Sequence, residues 1–243
     1  MLSKSFRAVA GAGLCALVLS GCVTMPEQQA YNREMHPVKT VAVLETTPVK
    51  AGVFMLNHPG VSFGLIGGLV AAADQSSKEA KFRATMEQAG FEPLPYFRER
   101  LSLHMGERGY TLVWPESQVE KKKASRGSFG LRKGYAASSA GDAQLDINFG
   151  FVGYAAAGAG DGSPYRPTVT MAARLVSPDG TQNYYTDYYA YNNLFNLKKA
   201  VVIDGGADHV YPGFDDLQAS GVKSVEGLKQ AIDAVAAKIA QQI

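Results

Sequence analysis

Two stretches of strict apolar alternation, followed by a turn and a return, constrain this chain more than any other feature. Leu145, Ile147, Phe149 and Phe151 alternate with Gln144, Asp146, Asn148 and Gly150, and Val169, Met171, Ala173 and Leu175 repeat the pattern. A period of two sends successive side chains to opposite faces, so each stretch is a half-buried strand. Ser177-Pro178-Asp179-Gly180 then forms a turn, in which proline presets φ and glycine accepts a positive one. The chain returns from about Thr181 to Tyr191, which predicts an antiparallel hairpin. A sheet must therefore lie at the centre of the molecule.

The flanking segments supply further strands and the helices that cover the sheet. Val38 to Glu45 is rich in β-branched residues and bounded by prolines, and Tyr110 to Trp114 follows Gly109 in the same manner. Ser77 to Ala89 carries Phe82, Met86 and Ala89 at helical spacing, with Ser76 or Ser77 as cap. Pro95 opens a second helix on which Phe97, Leu101 and Met105 lie four apart. The clearest helix is the last, where Val225, Leu228, Ile232, Val235 and Ile239 make one stripe behind Ser224. This order predicts an α/β fold, with α+β as the alternative. It is built on one mixed sheet with an antiparallel meander, helices packed on it and a C-terminal amphipathic helix.

Composition narrows the functional classes. Aromatic residues make up 10% of the 243-residue chain, too many for a disordered polymer, and a formal net charge of +2 is too small for a nucleic-acid binder. The chain shows no HExxH, Walker loop or CxxC, and His36, His58, His104 and His209 are scattered. No metal and no cofactor is expected from these residues.

The N-terminus reads as an address. Lys4 and Arg7 precede Ala8 to Leu19, an uncharged run of twelve residues that is too short to span a bilayer of roughly 30 Å. Leu19-Ser20-Gly21-Cys22 follows. This combination resembles the signal peptide and lipobox of bacterial lipoproteins. The resemblance implies a signal peptide over residues 1–21, cleavage between Gly21 and Cys22, a diacylglyceryl group on the Cys22 thiol, and a further acyl chain such as palmitate on the new amine. Valine rather than aspartate at position 23 implies, within that family, an outer-membrane protein facing the periplasm. Loss of Lys4 and Arg7 leaves 22 basic and 22 acidic side chains, and no free thiol remains. Residues 22–37 lack periodicity and read as the lipidated cysteine and its tether, with a reach of at most ~50 Å. Residues 38–243 form a single periplasmic domain. Its order of VAVLE, a helix leading to GYTLV and a terminal amphipathic helix loosely resembles lipoproteins such as penicillin-binding-protein activators and curli-secretion lipoproteins. No functional residue carries over from that resemblance.

Four segments are candidates for function, each with a plainer alternative. Phe54 to Ala73 contains no formally charged residue, and Gly60, Gly64 and Gly68 stand four apart within it. Such spacing lets another backbone approach, so the segment either packs on a second copy or a membrane, or is a glycine-faced element buried on the sheet. Glu120 to Lys133 holds Lys121, Lys122, Lys123, Arg126, Arg132 and Lys133. It reads as a patch for anionic lipid headgroups or envelope polymers, or as a solvated loop. Tyr185, Tyr189 and Tyr191 share one face of the returning strand, suited to a partner if exposed and to the core if not. Asp204, Asp208, His209, Asp215 and Asp216 read as a solvated acidic loop, since they depart from the calcium-loop pattern.

These observations favour a lipid-anchored envelope protein acting by contact, as a binding, assembly or activation factor without catalysis. Its partners would be the membrane, through the lipid, and an envelope protein or peptidoglycan-associated component. The alternative is a membrane-associated homo-oligomer or pore element built on segment 54–73. A hydrolase assembled from residues distant in sequence is a third reading.

Overall fold

The computed structural model describes residues 27–57, 64–117, 124–159 and 162–243. A seven-stranded mixed sheet runs through it. Strands β1 (Thr40–Val43), β2 (Gly52–Asn57), β3 (Thr111–Val113), β4 (Ala143–Gly158), β5 (Arg166–Val176), β6 (Asn183–Tyr191) and β7 (Val201–Ile203) alternate with helices α1 (Gly64–Gln88), α2 (Pro93–Glu107), α3 (Phe214–Ser220) and α4 (Lys223–Gln242). The order across the sheet is β3-β1-β4-β5-β6-β7, with β2 also paired to β4. β4, β5 and β6 form the expected antiparallel meander, while β1, β2, β3 and β7 join in parallel pairs. The hairpin turn falls at Ser177–Gly180 as the sequence predicts, with Gly180 at φ +76°.

β4 is longer than its alternation suggests, and the reason is one residue. The register slips between Phe149 and Phe151, where Gly150 forms a bulge. Leu145, Ile147 and Phe149 face the helices, and after the bulge Val152 and Tyr154 take over that face. Phe151 consequently points to the other side of the sheet, against the simple alternation. The strand continues to Gly158, into residues 155–162, whose glycines predict a flexible connection.

One face of the sheet carries the main core. Phe97 of α2 meets Phe149 edge-on at 5.2 Å, Phe82 of α1 meets Tyr154 at 5.8 Å, and α4 crosses the middle. Leu228, Ile232, Val235 and Ile239 are fully buried there, as their spacing requires. α4 approaches closely because Gly227 has no side chain: a Cβ at that position would lie 2.3 Å from the Tyr154 hydroxyl. Ser224 is not the cap of α4. It sits within the helix, buried, and its hydroxyl donates to the Gly221 carbonyl at 2.7 Å.

α1 differs most from expectation. It begins at Gly64 and runs through Ser76 and Ser77, neither of which starts it, and Phe54 to Leu56 belongs to strand β2. The uncharged segment 54–73 is therefore divided between a strand and a helix. Gly64 and Gly68 lie on α1, and Gly60 falls outside the described residues. Among the described residues, no helix is long and apolar enough to cross a membrane.

Candidate binding surfaces

The tyrosine face predicted for partner binding is core. Tyr185, Tyr189 and Tyr191 do share one face of β6, but it is the helix face, and all three are buried with Tyr189 fully so. The hydroxyls of Tyr185 and Tyr189 contact each other and both donate to Gln242 Oε1 of α4, at 2.8 and 2.6 Å. Burial pushes both phenols well above their ordinary range. β6 is not a free edge along its last three residues, Tyr189 to Tyr191, because β7 pairs there. An aromatic strand with apolar partners on the next strand is buried by its neighbours, and the alternation alone does not say which face α4 covers.

The arginines of the basic segment are likewise turned inward, while Lys133 is exposed. Lys121, Lys122 and Lys123 lie outside the described residues, but Arg126 and Arg132 face Asp146 of β4. The Asp146 side chain is fully buried; its Oδ1 lies 3.6 Å from Arg126 Nη1 and 3.9 Å from Arg132 Nε. Its Oδ2 accepts the Arg132 backbone N–H at 2.7 Å and the Tyr135 hydroxyl at 3.0 Å. Burial pushes the Asp146 carboxyl up, against the opposing pull of these donors and of Arg126. Arg132 also donates to the Glu45 carbonyl and Arg126 to that of Gly130. Residues 124–136 are thus pinned across the sheet face opposite the helices. Leu131 and Phe129 pack there on Tyr188, and Asn148 Nδ2 donates to the Phe129 carbonyl. A half-buried strand predicts solvent at its polar positions; Asp146 is instead the buried anchor of a second, smaller core. Its only sequence signal is a carboxylate amid apolar neighbours, facing two arginines some 14 to 20 positions upstream.

The expected tether is also docked from Gln28 onward. Gln29 makes a two-way backbone bridge to Thr186 on the β6 edge, both bonds 2.9 Å. Gln28 donates to Asp187 and to the Lys199 carbonyl, and Gln29 to the Asn183 carbonyl. His36 stacks on Tyr184 at 4.0 Å and Arg33 lies over Tyr110. The lack of periodicity in this segment reflects a strap, whose contacts are made residue by residue at long range. Gly21 and Cys22 lie outside the described residues.

Two concave or apolar regions stand out among the described residues. A cleft of about 350 Å³ lies between the β1–β2 loop and the α1–α2 turn. Val49, Ala51, Met86, Phe91 and Leu94 give it an apolar lining, and Lys50, Arg83, Glu87 and Glu92 are exposed around it. A second region lies on the face opposite the helices, beyond the Asp146 cluster. Phe54, Phe151 and Phe195 meet there with ring centroids 5.4 to 6.4 Å apart. Leu56 and Val202 nearby are 43% and 49% exposed, an unusual outlay for strand residues of this size.

The acidic loop is dispersed by the fold. Asp215 and Asp216 occupy the first turn of α3, where a negative charge suits the helix dipole, and Asp216 accepts the Gly213 N–H at 3.0 Å. Asp204 and Asp208 are exposed, and among the described residues no group of three His, Cys, Asp or Glu is arranged to hold a metal.

Among the described residues, His104 is the one histidine held by carboxylates on both ring nitrogens. Its Nε2 lies 2.8 Å from Asp233 and its Nδ1 3.4 Å from Glu107. Arg100 Nε meets the same Asp233 oxygen at 2.5 Å, so the group clamps α2 to α4. Burial alone would raise the Asp233 carboxyl, but the hydrogen bonds from Arg100 and His104 outweigh it and hold it below its usual 3.8. A depressed carboxyl contributes stability that is complete above that value and lost as the pH falls through the folded-state value. Asp233→Asn should therefore lower stability at neutrality and flatten the acid limb of the profile below about pH 4, where the difference from the parent closes. Solvent screening keeps the effect to at most ~1 kcal/mol. Thermal unfolding followed across that range checks it, and an acid limb as steep as in the parent would contradict it.

No protein-family model and no curated protein matches this chain.

Proposed function

We propose that the chain is a lipid-anchored envelope protein whose α/β body binds another envelope component by contact rather than by catalysis. One observation carries the reading. The strap holds Gln28 and Gln29 to the β6 edge, so only residues 23–27 separate the lipobox cysteine from the body. Six residue steps from Cys22 to Gln28 reach at most ~20 Å. A long mobile arm would let the body range through the periplasm; this strap keeps it at the membrane, where confinement raises effective concentration and weak contacts suffice.

The cleft between the β1–β2 loop and the α1–α2 turn is the surface best suited to the partner. Its volume admits a few apolar side chains, and charges of both signs around it match a neutral polypeptide better than an acidic or basic polymer. Cys22→Ser should abolish lipid labelling and release of the leader. A photo-crosslinker at exposed Glu92 should then capture a distinct envelope protein in the parent and lose it in that variant. Normal lipid labelling of Cys22→Ser would overturn the anchor. Capture of only a second copy of the chain would favour the oligomeric reading instead.

A further inference from the structure

We infer that the apolar half of the sheet face opposite the helices rests directly on the bilayer, with Phe54, Leu56, Phe195 and Val202 against the headgroup–acyl boundary and Lys198 and Lys199 on anionic headgroups. The inference rests on the lipid-anchor reading and adds to it the orientation of the body.

The argument begins where the strap leaves the fold. Gln28 Nε2 donates to the Lys199 carbonyl at 2.7 Å, so the chain running back toward Cys22 departs beside residues 192–200. That same segment folds over the sheet face away from the helices. Phe195 packs on Phe54 and Phe151 there, and Ala200 packs on the cluster of Leu131, Ala172 and Tyr188. A membrane within ~20 Å of Gln28 is thus within reach of this face. The helices lie on the other side of the sheet, with the cleft bordered by α1 and α2.

The chemistry of the patch agrees with a lipid surface. β2 contributes Phe54 and Leu56 because their register partners on β4, Ala155 and the neighbouring Ala157, are too small to cover them. Val202 on short β7 and Leu194 line one shallow depression with Ala157, which connects the two halves of the patch. Lys198 and Lys199 are both exposed at its border, Arg166 lies within it, and Asp204 is the one acidic residue lining that depression among the described residues. An apolar surface fringed by lysines gains from shallow burial at the interface and from the negative surface potential of anionic lipid. A second copy of the chain or another protein would need no proximity to the lipidated terminus.

The mature chain has no free thiol, so single cysteines can be labelled cleanly. The lipidated protein carrying Leu56→Cys, Val202→Cys or, on α2, Leu103→Cys would be spin-labelled and placed on vesicles of phosphatidylethanolamine and phosphatidylglycerol. All three positions are exposed, which spares the core. Labels at 56 and 202 should favour collision with oxygen over a water-soluble nickel chelate, and the label at 103 should show the reverse. Lys198→Gln and Lys199→Gln should each reduce the docked population about fivefold on these vesicles. Labels at 56 and 202 as wet as that at 103, on protein that co-floats with the vesicles, would overturn the docking while leaving the anchor standing. Protein that fails to co-float would overturn the anchor and the docking together.

Discussion

Asp146→Ala should cost about 3–5 kcal/mol of folding stability, the penalty for removing one partner of a buried charge pair. The carboxylate is the meeting point of Arg126, Arg132, the Arg132 N–H and Tyr135, and its side chain is completely buried. Without it two largely buried guanidinium groups lose the charge they face, and the backbone of 124–136 loses its tie to β4. Denaturant unfolding measures the first effect. Hydrogen exchange should localise the second to residues 124–136, with the helix side of the sheet little changed. Asp146→Asn should fall between, since the amide oxygen can still accept the Arg132 N–H. A stability loss spread evenly over the protein would mean that Asp146 supports the main core rather than this covering segment.

Tyr189→Ala is expected to be as damaging for a different reason. Removing a fully buried aromatic ring leaves a cavity and forfeits its burial, about 3–5 kcal/mol for side chains of this size. Tyr189→Phe should cost only about 1 kcal/mol, because Gln242 Oε1 keeps its hydrogen bond from Tyr185. Unfolding curves of the two variants separate these contributions. Were the tyrosine face a partner surface, Tyr189→Ala would leave the unfolding midpoint in place and weaken only the partner's capture.

Both results bear on how this protein should be dissected. The residues whose chemistry is most conspicuous in the chain, the tyrosine cluster and the arginines at 126 and 132, hold the fold together. Variants at these positions will lose any activity through instability. The informative positions for partner and membrane contact are exposed and individually plain: Glu92 beside the cleft, Leu56 and Val202 on the apolar face.

What the chain determined alone was whatever depends on local spacing. The meander, its turn at Ser177–Gly180, the stripe of α4 and the apolar spacing of α2 follow from neighbours a few residues apart. Backbone geometry converts such spacing directly into a buried face. The tertiary structure decided which face is covered and by what. Gly150 reverses the alternation in mid-strand, α4 buries Tyr185, Tyr189 and Tyr191, and Asp146 draws in arginines from a separate segment. The strap is the extreme case, since its contacts lie more than 150 positions away along the chain. Burial and pairing at such separations are set by how layers stack, a property of the whole molecule that no local pattern encodes.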